Sequence, residues 1–150
     1  MLGGWAIDQE CADKIEQIYP EGTILELGSG AGTEYLAKKY TMYSIEHNYD
    51  YIGKYDSTYI YAPIINGWYD TDFLRYLPDY GLLLIDGPPS TIRHNIRMDF
   101  MKHFELFNMD AIIVIDDVHR QTEFHLASAI ELMTDRPKRI YGDKKKFAVI

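Results

Sequence analysis

A glycine loop at residues 24–33, ILELGSGAGT, is the segment of the chain best suited to hold a ligand. Glycines allow a tight turn and let backbone amides approach a ligand closely. A dinucleotide-binding loop has the spacing G-x-G-x-x-G, but here the third glycine comes one residue early and Thr33 takes its place. An acid also stands two residues before the first glycine. The predicted ligand-binding residues are Glu26, Gly28, Ser29, Gly30 and Gly32.

A second acid, Glu46, ends the next predicted strand, about 20 residues beyond the loop, where a carboxylate can accept hydrogen bonds from both hydroxyls of a ribose. His47 and Asn48 follow it and are candidates to line an adenine ring. Glu26 has a second interpretation, as an acid that only caps the loop or faces a helix dipole. The loop and Glu46 together predict a site for a nucleoside cofactor.

Two further predicted strands also end in acids: LLLID gives Asp86, and IIVIDD gives Asp116 and Asp117. If the two strands are neighbours, the three carboxylates converge beside the glycine loop and repel one another. A divalent cation with oxygen ligands would offset that repulsion. In the alternative, Asp86 only orients a substrate while the aspartate pair caps the next helix. His119 is the candidate general base, because its ordinary pKa lies near neutral pH.

The pattern E-x-G-x-G-x-G, with Glu46 after it, resembles motif I of class I S-adenosylmethionine-dependent methyltransferases. The resemblance implies S-adenosylmethionine as the cofactor, with its methionine ammonium near Glu26 and its ribose on Glu46. It also implies that Asn66 and Gly67 contact the adenine, although the acid more common at that place is missing here.

Catechol-type and macrocin-type O-methyltransferases of that family carry acids after the fourth and fifth strands. This resemblance implies a Mg, Mn or Co ion on Asp86, Asp116 and Asp117 that lowers the pKa of an acceptor hydroxyl. Residues 81–131 also resemble glucuronoxylan-type sugar O-methyltransferases, on whose pattern Arg97, Arg120 and Glu123 fall. The arginines would then hold a sugar carboxylate, or they neutralise the aspartates as structural ion pairs.

Alternating apolar and amphipathic stretches are typical of an α/β protein. With the resemblance, they predict a Rossmann-like class I methyltransferase fold, a mostly parallel seven-stranded sheet with a C-terminal antiparallel hairpin. The predicted strands are 23–27, 42–45, 59–65, 82–85, 111–115 and two within 136–150, with 59–65 at an edge because of Pro63. The predicted helices are 5–18, 33–40, 51–55, 70–77, 92–107 and 122–133.

The composition is that of one globular domain over residues 1–150, with 47% hydrophobic and 25% charged residues. A net charge of −8 argues against a nucleic-acid partner. One cysteine and no apolar run of about 20 residues predict a cytoplasmic protein without a membrane partner. The basic run 144–146 is expected to solvate the terminal hairpin. No segment is left for a lid, which favours a homodimer that closes the pocket.

The sequence thus predicts methyl transfer from S-adenosylmethionine to a small-molecule or carbohydrate acceptor. Two alternatives stay open. The domain binds the cofactor without catalysis, as an interaction module, or it is an NAD-dependent Rossmann enzyme. Methylation of a protein or of RNA is a weaker alternative, and the acidic charge argues against RNA.

Overall fold

The computed structural model describes residues 6–150, in which the chain alternates strands with helices. The strands are β1 (Thr23–Leu27), β2 (Thr41–Glu46), β3 (Thr58–Tyr61), β4 (Ile64–Ile65), β5 (Trp68–Tyr69), β6 (Leu82–Ile85), β7 (Ile112–Ile115), β8 (Arg139–Tyr141) and β9 (Phe147–Val149). The α-helices are α1 (Gln9–Ile18), α2 (Ala31–Leu36) and α3 (Gln121–Thr134). Shorter 3-10 helices cover Tyr49–Tyr51, Thr71–Leu74, Ile96–Lys102 and Phe104–Leu106. None of the helices in this part of the chain is long and apolar enough to cross a membrane.

Seven strands form one sheet in the order β3-β2-β1-β6-β7-β9-β8. The first five are parallel, and β9 and β8 form an antiparallel hairpin at the β7 side. Leu27 pairs with Ile45 on one side and with Ile85 on the other, and Ile85 pairs with Ile115. Four neighbouring strands therefore end at the same level. The predicted Rossmann-like methyltransferase topology is confirmed, including the terminal hairpin.

Both faces of the sheet are covered, so its central strands are apolar on both sides. Along β6, Leu83 and Ile85 belong to the core cluster that contains α3, whereas Leu82 and Leu84 belong to the cluster that contains α1. Side chains of a strand alternate between its two faces. Such strands appear in the sequence as unbroken apolar runs, and four of the predicted strands coincide with β1, β2, β6 and β7 within one residue.

The predicted helix 92–107 is wrong. This segment forms two 3-10 helices, in which Met98 N donates to Asn95 O and His103 N to Phe100 O. Arg97 is buried in this segment together with Phe100. Its buried arginine makes long-range polar contacts, since Arg97 donates to Pro88 O and to Asp117 Oδ2.

Other predicted bounds also change. Helix 33–40 is α2, which ends at Leu36; helices 51–55 and 70–77 are short 3-10 helices. Strand 59–65 is divided at Pro63 into β3, which does lie at the sheet edge, and β4. Helix 5–18 begins at Gln9, where the Asp8 side chain accepts a hydrogen bond from Cys11 N, and Trp5 lies outside the described residues.

The first glycine of the loop lies against the backbone after β6. Gly28 has a φ of +90°, and a Cβ on it would lie 3.0 Å from Asp86 O. A side chain at this position would strain its own backbone and would also push two strand ends apart.

We expect Gly28→Ala to lower the free energy of unfolding by roughly 2–3 kcal/mol, measured by urea denaturation. Gly53→Ala is the matched control, since Gly53 has a φ of +76° but no atom within 4 Å of its Cβ position. Its cost should be about 1 kcal/mol, from backbone strain alone. Equal losses in the two variants would mean that the contact with Asp86 O is unimportant.

Candidate functional site

A cavity of about 580 Å³ lies at the carboxyl ends of β1, β2 and β6. This is the position at which parallel α/β sheets bind ligands. The predicted site residues that line it are Glu26, Gly28, Ser29, Gly30, Gly32, Glu46, His47, Asn48, Asp86 and Asp117, together with Arg97 and Arg120. The glycine loop and two of the three strand-end aspartates therefore share one cavity.

Glu46 holds the glycine loop against the end of β2. Its Oε1 accepts a hydrogen bond from Ser29 N at 3.1 Å, and its Oε2 accepts one from Asn48 N at 2.8 Å. His47 Nδ1 lies 3.1 Å from Oε2. Burial alone would raise the pKa of Glu46, but the nearby His47 side chain and the two backbone amides stabilise the carboxylate and hold the pKa below its usual value. Glu46 is therefore an anion at neutral pH, next to the loop.

Glu26 has the opposite surroundings, although it lies on the neighbouring strand. Its carboxyl oxygens lie 2.7 and 2.6 Å from Thr33 Oγ1, and Oε2 accepts a hydrogen bond from Ser44 Oγ at 3.1 Å. Burial raises the pKa of Glu26 to about 8, because two hydroxyl groups only partly offset the lost hydration. The contacts match the interpretation of Glu26 as a loop-capping acid, and the residue also lines the cavity.

The three strand-end aspartates converge, as the sequence predicts. One carboxylate oxygen of each of Asp86, Asp116 and Asp117 lies within 4.8 Å of the others, and we call these residues the aspartate cluster. Asp116 and Asp117 are almost fully buried, and Asp86 is partly exposed to the cavity. Asp117 has a φ of +62°, an uncommon backbone conformation that turns its side chain back toward the other two.

Two arginines neutralise part of the cluster, in agreement with their structural interpretation. Arg97 Nη1 donates to Asp117 Oδ2 at 2.8 Å, and its Nη2 lies 3.8 Å from Asp86 Oδ1. Arg120 Nη1 lies 3.5 Å from Asp117 Oδ2 and donates to Ser90 Oγ at 3.0 Å. Both guanidinium groups line the cavity.

The third cation, Lys145, comes from the β8–β9 hairpin. Its Nζ lies 3.0 Å from Asp116 Oδ2 and 3.8 Å from Asp117 Oδ1. Lys144 and Lys146 are exposed, as expected for a solvated hairpin, but for Lys145 that expectation is wrong. Nothing in the local sequence distinguishes the middle lysine from its two neighbours.

These contacts separate the pKa values of the aspartates. Burial, followed by the charge of Asp116, raises the pKa of Asp86 well above its usual value. Burial and the charge of Asp117 also raise the pKa of Asp116. Burial would raise the pKa of Asp117 too, but the hydrogen bond and charge of Arg97 hold it below its usual value. Asp117 is therefore the most firmly ionised member of the cluster, and Asp86 binds a proton more readily.

The cluster has the oxygen donors that a divalent cation prefers. However, Asp117 Oδ2 accepts a hydrogen bond from Arg97, and the ammonium of Lys145 lies beside Asp116. A divalent ion bound by all three carboxylates would have to displace two cations of the chain. The side chains as arranged do not fit a metal, and ligation by these three residues stays a prediction.

Four predicted site residues do not line the cavity. Asn66 and Gly67 form the turn between β4 and β5, where Gly67 O accepts a hydrogen bond from Arg93. Asp116 lies behind the cavity wall, almost fully buried. His119 is exposed, and its Nδ1 accepts a hydrogen bond from Lys146 N at 3.2 Å.

Several lining residues were missed by sequence reasoning. Tyr51 and Tyr55 line the cavity beyond His47, and Tyr59 OH lies 2.8 Å from Ser29 Oγ. Thirteen tyrosines in the chain are a weak signal of aromatic walls, but the count does not say which of them face a ligand.

Comparison with known proteins gives a likeness of fold. Scans against family models and against curated sequences found no match. Among solved structures, precorrin 8w decarboxylase from Methanobacterium thermoautotrophicum is similar at 14% identity and a TM-score of 0.60, over 99% of this chain and 91% of that chain. A TehB-like SAM-dependent methyltransferase from Corynebacterium glutamicum is similar at 15% identity and a TM-score of 0.52, over 95% and 86%.

MycE methyltransferase, from the mycinamycin biosynthetic pathway, was solved with Mg, SAH and mycinamycin VI. It is similar at 17% identity and a TM-score of 0.54, over 92% of this chain but only 45% of MycE. At these identities the likeness shows the fold alone. The chain therefore has the Rossmann-like fold found in SAM-dependent methyltransferases.

We expect the raised pKa of Glu26 to make the fold less stable as pH rises. Between the ordinary pKa of 4.5 and about 8, the folded chain keeps the Glu26 proton and the unfolded chain releases it. Its contribution to stability is therefore complete below pH 4.5 and is lost by about 1.4 kcal/mol per pH unit up to pH 8.

Glu26→Gln lacks this titration but can still accept hydrogen bonds from Thr33 and Ser44. Denaturation of both proteins at several pH values measures the difference in unfolding free energy, in which the other titrating groups cancel. As pH rises from 5 to 8, the variant should become more stable relative to the wild type. A pH-independent difference would contradict the assignment.

Proposed function

We propose that the chain binds S-adenosylmethionine in the cavity and transfers its methyl group to a hydroxyl of a small-molecule or carbohydrate acceptor. The observation that carries this proposal is the continuous cavity surface formed by the glycine loop, Glu46 and Asp86. Its volume of about 580 Å³ lies within the range usual for cofactor and small-molecule sites.

The cofactor end of the cavity is already arranged. Because Glu46 accepts a hydrogen bond from Ser29 N, the loop backbone is fixed without a ligand. Each carboxylate oxygen can accept more than one hydrogen bond, so Glu46 can still receive the ribose hydroxyls. Gly30 has an extended backbone, and its Cβ position has no atom within 4 Å. This open position on the cavity wall allows a ligand to approach the loop backbone closely.

Asp86 is the residue proposed to act on the acceptor. It lines the cavity, and 19% of its side chain is exposed. Its raised pKa makes the carboxylate a better proton acceptor than an ordinary aspartate. The acceptor hydroxyl gives its proton to Asp86 while its oxygen bonds to the methyl carbon. The bond from that carbon to sulfur breaks, and S-adenosylhomocysteine leaves as a neutral thioether.

The class of acceptor is a finer proposal. Arg120 and Ser90 line the cavity on the side of the aspartate cluster, where hydrogen-bond donors could orient a hydroxylated acceptor. The sequence resemblance to sugar O-methyltransferases covers the same residues. MycE, which shares the fold, was solved with mycinamycin VI, which supports a small-molecule acceptor.

We expect calorimetry to detect binding of S-adenosylhomocysteine to the wild-type chain, and Gly30→Val to weaken it at least ~10-fold. The valine side chain would enter the cavity. The melting temperature should not change, because the backbone at residue 30 is extended and no atom lies within 4 Å of the Cβ position. The same titration with NAD should give no binding. Tight NAD binding, or full affinity of a folded Gly30→Val variant for S-adenosylhomocysteine, would contradict the cofactor assignment.

We expect Asp86→Asn to slow methyl transfer by ~100-fold or more while affinity for S-adenosylhomocysteine stays within about twofold. Release of S-adenosylhomocysteine is measured with a panel of catechols, sugars and uronic acids. The wild-type rate should rise with pH up to the raised pKa of Asp86, because only the carboxylate can take a proton.

Asp110→Asn, an exposed acid just before β7, is the matched control and should keep the wild-type rate. If Asp86→Asn turns over with the wild-type rate and pH profile, Asp86 is not the group that accepts the proton of the acceptor hydroxyl. If the cofactor binds but no acceptor in the panel is methylated by the wild-type chain, the domain is better described as a cofactor-binding module.

A further inference from the structure

The aspartate cluster contains a cation that comes from a distant part of the chain. Lys145 reaches Asp116 and Asp117 with its Nζ, and only 19% of its side chain is exposed. The lysines on either side of it point into solvent. A surface lysine rarely gives up its hydration in this way unless carboxylates compensate for it. The ammonium is therefore an integral part of the cluster.

The backbone on both sides of Lys145 is held in place. Val118 N donates to Lys146 O at 2.9 Å, and Lys146 N donates to His119 Nδ1 at 3.2 Å. Gly142, with a φ of +95°, allows the hairpin to turn where a Cβ would collide with Lys145 O. Lys145 Nζ also donates to Ala6 O, which precedes α1. Segments from both halves of the chain thus fix the ammonium beside the carboxylates.

Arg97 and Lys145 divide the cluster between them. Arg97 lies on the side of Asp86 and Asp117, and Lys145 lies on the side of Asp116 and Asp117. With Arg120, whose Nη1 lies 3.5 Å from Asp117 Oδ2, three cationic side chains face the three carboxylates. The repulsion that led the sequence to predict a metal is offset here by side chains.

We propose that the ammonium of Lys145 takes the place of a divalent cation in the aspartate cluster: it neutralises Asp116 and Asp117 from a fixed position and keeps metal ions out. The charge role of Lys145 does not depend on the proposed function. Only the statement about the acceptor rests on it, because the proposed function places an acceptor beside this cluster. An ammonium cannot chelate two oxygens of one acceptor as a metal with open coordination positions does. The site therefore suits acceptors with an isolated hydroxyl and does not require a vicinal diol.

The test is a titration with Mn²⁺, followed by the electron paramagnetic resonance signal of the free ion. We expect the wild-type chain to take up no Mn²⁺ that depends on Asp116. Lys145→Met removes the charge and keeps a similar side-chain length, and it should bind one Mn²⁺ per chain at least ~10-fold more tightly than the wild type. Adding Asp116→Asn to Lys145→Met should abolish that site.

Lys144→Met is the matched control, since it removes the same charge from an exposed position of the same hairpin. It should behave like the wild type. One Mn²⁺ bound by the wild-type chain and lost in Asp116→Asn would overturn the proposal, and this comparison does not need a Lys145 variant. A folded Lys145→Met or Lys145→Gln variant that gains no Mn²⁺ affinity would overturn it as well.

Calorimetry with S-adenosylhomocysteine on the same wild-type sample separates this inference from the proposed function. Absence of both Mn²⁺ and cofactor binding would contradict the methyltransferase assignment and leave the role of Lys145 standing. Cofactor binding together with an Asp116-dependent Mn²⁺ site would support the proposed cofactor and overturn the role of Lys145.

Discussion

The site depends on close packing between the backbones that follow β1 and β6. A Cβ on Gly28 would lie 3.0 Å from Asp86 O, and one on Gly87 would lie 2.9 Å from Leu27 O. Two backbone segments can approach this closely because each has a glycine, without a Cβ, at the contact. The approach makes the glycine loop and the first aspartate of the cluster parts of the same wall. The glycine loop and the aspartate end of the cavity are consequently linked through backbone.

Two glutamates at neighbouring strand ends show how surroundings set chemistry. Glu26 pairs with Ser44 in the register of β1 and β2, and Glu46 ends the second of these strands. Both are almost fully buried, yet burial dominates only for Glu26, whose partners are hydroxyl groups. Two backbone amides and His47 outweigh burial for Glu46. The same residue type thus holds a proton near neutral pH on β1 and is an anion at the end of β2.

The strands and the loop could be predicted because each is encoded locally, whereas the convergence of the aspartates is predicted only if β6 and β7 are neighbours, which they are. A strand buried on both faces is an unbroken apolar run, and the residue after it lies at the sheet edge where ligands bind. The sequence pattern of residues 92–107 predicts an α-helix and does not reveal the 3-10 form of Ile96–Lys102, in which Arg97 contacts Asp117. Lys145 could not be predicted either, since only the pairing of β9 with β7 brings it to Asp116.

The place of Lys145 along the chain has a consequence for biosynthesis. All three carboxylates are translated before this lysine, which follows the last of them by 28 residues. A nascent chain that has only reached α3 carries the mutual repulsion of Asp86, Asp116 and Asp117 with Arg97 and Arg120 alone to offset it. Docking of the terminal hairpin brings Lys145 to Asp116 and Asp117 and so completes the charge balance beside the cavity.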